Sequence, residues 1–219
     1  MNPNPHNTRF DQDGLLFSEQ FGDHYFSRDD GMAECRHVFL SGNDLPDRWN
    51  DKAKFNIGEL GFGTGLNFLT TWHVWCQTRQ PDQHLCFTSV EAYPLDVDTV
   101  RRSLGTWPQL DSAADHLIAN WNDLASPTHL DEQTTLQVHP INVEQALPQF
   151  PKIDAWYLDG FAPSRNPDMW SQVVSNLVAS RTSAMGTLAS YTAAGWVRRN
   201  LEAAGFEMEK RPGFGSKRD

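Results

Sequence analysis

A chain of 219 residues with 39% hydrophobic content, eight Trp and thirteen Phe can bury one full core, with room for a small appendage. Its formal net charge of −10 speaks against a general nucleic-acid binder, which usually presents a basic face. The distribution is uneven: residues 1–51 carry ten acids and four Lys/Arg, whereas Arg198–Asp219 carries six Lys/Arg against four acids. That basic tail suits either a bound polyanion or a solvated helix face.

In chain order, residues 9–27 hold short aromatic runs around Asp13-Gly14 and Phe21-Gly22-Asp23, which predict small hairpins. Residues 31–40 predict a short helix, so 1–50 read as an appendage packed on a domain that spans 51–219. From there apolar strands alternate with amphipathic helices. Strands are expected at 54–60, 85–91, 134–139, 153–159, 186–191 and 206–212, and helices at about 65–79, 94–105, 142–149, 167–181 and 193–204. This alternation predicts an α/β fold, a mostly parallel sheet with helices on both faces. Gly205 is placed to end the last helix. A sheet of this kind usually closes with an antiparallel hairpin. Here 206–212 supplies its first strand, and the final strand, starting near Phe214, is expected to be cut short.

Three strand ends carry the chemistry. The strand 54–60 runs into Gly61-Phe62-Gly63-Thr64-Gly65 and then a helix, a turn at which glycines let a ligand approach the backbone. The spacing is neither the dinucleotide fingerprint nor a P-loop. Glu59, just before the glycines, suits a cofactor that carries an amine and a sulfonium, as S-adenosylmethionine does. Glu91 ends the next strand, where ribose hydroxyls are expected. Asp159 ends the aromatic strand Ile153–Leu158, at the lip where open α/β sheets bind ligands. Each feature has a plainer reading: a structural βα turn, an ordinary strand-end acid, an Asp-Gly turn cap. Cys35, Cys76 and Cys86 form no CxxC pair and read as reduced, buried thiols of a cytosolic protein. The eight histidines lack ligand spacing, so no metal is expected. Neither a signal peptide nor a membrane span is visible.

The pairing of Glu59-Leu-Gly-Phe-Gly-Thr-Gly-Leu-Asn-Phe68 with Leu158-Asp-Gly-Phe-Ala-Pro-Ser-Arg-Asn-Pro-Asp-Met-Trp170 resembles the methyltransferase domain of the MnmC family of bacterial tRNA-modification enzymes. Tyr25-Phe-Ser, the stretch from Glu34 to Leu40, Thr192–Arg199 and Lys210–Arg218 extend the resemblance over nearly the whole chain. It implies a Rossmann-like, S-adenosylmethionine-dependent enzyme that methylates the amine of 5-aminomethyl-2-thiouridine at the wobble position of tRNA. The implied partners are a tRNA anticodon loop and, in two-domain members, a C-terminal FAD-dependent oxidase. No FAD fingerprint occurs in this chain.

On this reading Glu59, Gly61, Phe62, Gly63, Thr64, Gly65, Asn67 and Glu91 bind the cofactor, and Asp159 is catalytic. Tyr25, Phe161, Pro163, Lys217 and Arg218 face the substrate, Phe161 by stacking on the uracil and the two basic residues by meeting phosphates. Asp159-Gly-Phe-Ala-Pro163 also resembles the Asp-Pro-Pro-Tyr type of motif of amino methyltransferases, with Phe161 in place of the tyrosine. Met169 and Trp170 are expected to anchor the next helix. The family's acid before Ile141-Asn142 is replaced here by His139-Pro140, so adenine recognition by that residue does not carry over. Two other readings stay open: an amino methyltransferase with a protein or small-molecule acceptor, and a non-catalytic or NAD(H)-binding module.

Overall fold

A computed structural model describes residues 7–27 and 30–215. The chain opens with a three-stranded antiparallel sheet, β1 (Thr8–Phe10), β2 (Leu16–Ser18) and β3 (Asp23–His24), whose first turn contains Asp13-Gly14. Asp30 then caps α1 (Gly31–Cys35), its Oδ1 accepting from the backbone N–H of Met32 at 3.0 Å and of Ala33 at 3.1 Å. The predicted helix over 31–40 does form, but its second half, Arg36–Leu40, is wound in π turns.

The core comprises β4 (Lys54–Leu60), α2 (Leu66–Thr78), β5 (His84–Val90), α3 (Val97–Leu104), α4 (Asp111–Ala119), β6 (Thr128–Asp131), β7 (Thr134–His139), α5 (Val143–Ala146), β8 (Ile153–Leu158), α6 (Gln172–Arg181), β9 (Thr182–Ser190) and α7 (Gly195–Ala203). Its sheet order is β6-β7-β5-β4-β8-β9, parallel throughout except for β6 against β7. Side chains alternate across the sheet and feed two cores. Phe55, Ile57, Phe87 and Tyr157 join the face that α2 covers, while Val90, Trp156 and Leu158 join the face with α6 and α7. Every residue of β8 is buried, Asp154 included, as a strand paired on both sides in a covered sheet must be. Trp156 is fully buried, stacks on Phe150 at 5.7 Å and donates its indole N–H to Thr182 Oγ1 at 2.9 Å.

Three expectations need correction, and two elements were not expected at all. No strand forms over 206–212. Phe206 and Met208 pack on the α6–α7 side, and the segment then crosses to the first helical region. There His37 Nε2 lies 2.7 Å from the Pro212 carbonyl oxygen, and Arg211 donates to the Ser41 carbonyl at 3.0 Å. With its polar groups engaged there and a proline lacking an N–H, the segment does not join a ladder. The helix expected over 167–181 is a 3₁₀ turn at Pro167–Trp170 followed by α6, because Ser171 is extended and caps Val174 N. Helix α4 and the edge strand β6 had no sequence expectation. Finally, Cys76 is exposed on α2, although Cys35 is buried.

At the end of the sheet away from the glycine loop, Asp154 ties the strands together. Lys52 Nζ lies 2.7 Å from its Oδ1, Ser183 Oγ donates to the same oxygen at 3.0 Å, and Asn56 N donates to Oδ2 at 2.9 Å. Burial alone would raise this carboxyl, but those three donors hold it below its usual range. A depressed folded value gives stability that is complete above the unfolded value of about 3.9 and fades as the pH falls through the folded one. On acidification from about pH 5 to about pH 2.5, the unmodified chain is expected to lose more melting temperature than Asp154→Asn. Parallel melting curves would remove Asp154 from acid lability.

Candidate active site

In this sheet the chain crosses from β4 outward to β5 and β7, then returns to the other side of β4 with β8. That reversal opens a crevice beyond the C-terminal ends of β4 and β8, the position at which open α/β sheets take ligands. A cavity of about 750 Å³ lies there, lined by the turn after β4, the end of β5, the loop after β8 and the N-terminal segment.

The turn after β4 is a glycine scaffold. Gly61, Gly63 and Gly65 all have positive φ, at 91°, 53° and 79°. A Cβ on Gly61 would stand 2.6 Å from the backbone oxygen of Asp159, so the turns after β4 and β8 touch backbone to backbone. Most of the loop's N–H groups are already engaged. Gly61 and Phe62 donate to the Val90 carbonyl at 3.0 and 3.1 Å, Gly63 to Glu91 Oε2 at 2.9 Å and Gly65 to the Phe62 carbonyl at 2.9 Å. The loop therefore offers a ligand shape and close approach more than free donors. Phe62 and Thr64 are buried yet contribute to the lining.

The three acids take different positions. Glu91 lines the cavity, its carboxylate aimed by the backbone N–H groups of Gly63 and Tyr93, each at 2.9 Å. Every carboxylate oxygen can accept more than one bond, so this one keeps capacity for hydroxyls. Asp159 also lines the cavity, half-buried at the lip of β8. Glu59 does not reach the cavity wall: it is fully buried, and its oxygens accept from Asn67 Nδ2 at 3.0 Å and Ser89 Oγ at 2.7 Å. Burial pushes its carboxyl well above the usual range. Asn67 lines the cavity and donates to Asp159 Oδ2 at 2.6 Å.

The opposite wall is aromatic and comes from two distant stretches of chain. Phe161 stacks on Phe21 with ring centroids 4.5 Å apart, and Tyr25 meets Phe161 edge-on at 5.1 Å. The loop that carries Phe161 is pinned at three points. Asp23 Oδ2 accepts from Ala162 N at 2.9 Å, Tyr191 Oη donates to the Gly160 carbonyl at 2.6 Å, and Trp170 Nε1 donates to the Phe161 carbonyl at 3.0 Å. Tyr93, 47% exposed, stands edge-on to Phe21 at the cleft. Pro163 is buried and outside the lining, Trp170 is buried as an anchor, and Met169 is half-buried and does reach the cavity. His139 stacks on Phe150 away from the cleft, whereas Asn142 lines it. Lys217 and Arg218 lie outside the described residues.

Sequence reasoning passed over Asp23, Glu34, Asn142 and Tyr191 as lining residues. Two had a signal available: Glu34 opens one of the matched stretches, and Tyr191 immediately precedes another. Asp23 was legible only as part of a hairpin. Among the described residues no group of three or more metal-ligating side chains converges, and no helix is long and apolar enough to cross a membrane.

A parallel α/β sheet with a glycine turn after its first core strand, an acid after the second and another acid across the switch point defines a Rossmann-like methyltransferase architecture. A family model described as S-adenosyl-L-methionine-dependent methyltransferase matches residues 108–219, and the chain belongs to that family. It is 45% identical over 204 residues to the tRNA 5-methylaminomethyl-2-thiouridine biosynthesis bifunctional protein MnmC of Maricaulis maris, covering 91% of this chain and 35% of that protein. The protein of the same name from Nitrosospira multiformis is 44% identical over 215 residues, with 95% and 35% covered. The chain thus spans about a third of the length of these relatives. Among solved structures, MnmC2 from Aquifex aeolicus superposes with a TM-score of 0.75 at 21% identity, covering 99% of this chain and 69% of that one, a likeness of fold.

Proposed function

We propose that this chain moves a methyl group from S-adenosylmethionine to the primary amine of 5-aminomethyl-2-thiouridine at the wobble position of tRNA, giving 5-methylaminomethyl-2-thiouridine. The observation that carries the reading is Asp159, a carboxylate that lines the same cavity as Glu91 and stands beside the glycine turn, in a chain whose relatives are named for that nucleoside. The cleft fits the cofactor on its own geometry. Gly63 and Glu91 both line the cavity, and a Cβ on Gly63 would stand 3.2 Å from the Tyr25 ring that lines it too, so the turn has room for a ligand only as glycine. Phe62, Gly63, Thr64 and Glu91 would hold the cofactor, Glu91 by its ribose hydroxyls. Bound there, it supplies an electrophilic methyl on a sulfonium sulfur.

The chain's own residues do the rest. The acceptor amine is largely protonated at neutral pH and must arrive with a free lone pair. Asp159 takes the proton and orients the nitrogen, which forms the new C–N bond as the C–S bond breaks. Phe161, Phe21 and Tyr25 wall the acceptor side, where a base splayed from a single-stranded loop can lie against aromatic surface. The relatives' second activity, for which the sequence resemblance suggests an FAD-dependent oxidase, would act in the part of those proteins that this chain does not span. A cytoplasmic site of action follows from the tRNA substrate.

The test is methyl transfer to tRNA that carries the aminomethyl group, read by nucleoside mass spectrometry. The expected product is a uridine heavier by one methyl that appears only with S-adenosylmethionine. Cofactor binding without that product would move the acceptor to a protein or small molecule.

A further inference from the structure

Both amide hydrogens of Asn67 are committed to carboxylates, one to Glu59 Oε1 at 3.0 Å and the other to Asp159 Oδ2 at 2.6 Å. The orientation of that amide is forced, because the flipped form would set its oxygen against two carboxylate oxygens. Glu59 is locked in turn: Ser89 Oγ donates to its other oxygen at 2.7 Å, and no part of Glu59 is exposed. Asn67 is fixed from behind as well. It sits in the first turn of α2, and its carbonyl accepts from Thr71 Oγ1 at 2.7 Å, with Tyr157 Oη 3.1 Å from that hydroxyl. The result is a buried chain, Ser89–Glu59–Asn67–Asp159, that runs from the middle of the sheet to the cavity wall.

We infer that Glu59 and Asn67 form a positioning pair for Asp159: Glu59 sets the Asn67 amide, the amide sets the Asp159 carboxylate, and Glu59 itself makes no contact with the cofactor. This deepens the methyl-transfer reading and rests on it for the role of Asp159. It departs from the expectation that an acid just before the glycine turn meets the cofactor's amine, since Glu59 lies behind the wall that Asn67 forms. Burial favours the neutral form of Glu59, which makes Gln a close substitute. Its carbonyl would accept from Asn67, and its amide would donate to Ser89 Oγ.

The experiment compares Glu59→Gln, Glu59→Ala and Asn67→Ala in the full chain by S-adenosylmethionine calorimetry and by kcat and KM for methyl transfer. Glu59→Gln is expected to keep cofactor affinity and kcat within about threefold. Glu59→Ala and Asn67→Ala are expected to lower kcat about 10- to 100-fold, the range for residues that orient a reacting group, with cofactor affinity held within about threefold. Asn67→Ser serves if the alanine variant does not fold. A tenfold or greater loss of cofactor affinity in Glu59→Gln would make Glu59 a direct ligand and overturn the inference, as would an unchanged kcat in Asn67→Ala. If the unmodified chain binds cofactor but methylates no aminomethyl tRNA, the acceptor reading fails, and the calorimetry on Glu59→Gln still decides whether Glu59 contacts cofactor.

Discussion

Replacing Asp159 by Asn is expected to lower kcat for methyl transfer by about 10²- to 10⁴-fold, the usual contribution of a positioned general base. The substitution preserves shape, and the Asn67 amide that now donates to Asp159 Oδ2 at 2.6 Å could still donate to an amide oxygen. What disappears is the ability to take a proton. Cofactor affinity should stay within about threefold, because the glycine turn and Glu91 belong to other strands. The pH dependence supplies a second check. The free fraction of an amine rises about tenfold per pH unit below its pKa, so the deficit of the variant should narrow toward alkaline pH. Single-turnover rates measured across pH would reveal this. A variant as fast as the unmodified chain at neutral pH would remove Asp159 from the proton-accepting role.

Gly61→Ala is expected to damage both folding and cofactor binding. At φ 91° a side chain costs about 1–2 kcal/mol, and a Cβ 2.6 Å from the Asp159 backbone oxygen cannot be relieved by rotating a side chain. Together these should destabilise the chain by about 2–4 kcal/mol, or roughly 5–12 °C in melting temperature for a protein of this size. Moving either strand end displaces Asp159 or breaks the bonds from Gly61 and Phe62 to Val90, so cofactor affinity should fall at least about tenfold. Gly205→Ala is the control. Its φ is 102°, but a Cβ there meets nothing within 4 Å, so only the backbone cost of about 1 kcal/mol applies. Equal melting temperatures for the two variants, with cofactor binding intact in both, would show that the close approach of the two turns is not required.

The legible parts of the fold were those written in local pattern. The strands at 54–60, 134–139 and 153–158 are short stretches with apolar residues at alternate or successive positions, and the helix after Gly65 follows from a glycine turn, so their positions emerged within a residue or two. The strand expected at 206–212 has the same apolar look in Phe206 and Met208, yet its register depends on a neighbour to pair with. Arg211 and the Pro212 carbonyl are engaged with the helical segment around residues 37–44 instead. Local pattern cannot foresee that competition. The site divides in the same way. Gly61–Gly65, Glu91 and Asp159 are strand-end features, and topology brings them together by a general rule. Glu59 has the same local signature, but its depth is decided by Asn67 and Ser89, one from the following helix and one from the neighbouring strand. Phe161 read as a lone aromatic for stacking, whereas the structure already stacks it on Phe21. Only three dimensions reveal that partner.

The bond from Ala162 N to Asp23 joins residues 139 positions apart, and the Phe21–Phe161 stack spans a similar distance. The glycine turn, by contrast, finds Glu91 only 28 positions away. Contacts between distant residues carry the larger loop-closure entropy and depend on all the structure between them. During synthesis from the N-terminus, the first hairpin therefore emerges long before the loop to which it is clasped. The aromatic wall of the cavity can close only once the loop after β8 has been made, by a clasp between the first fragment of the chain and that loop.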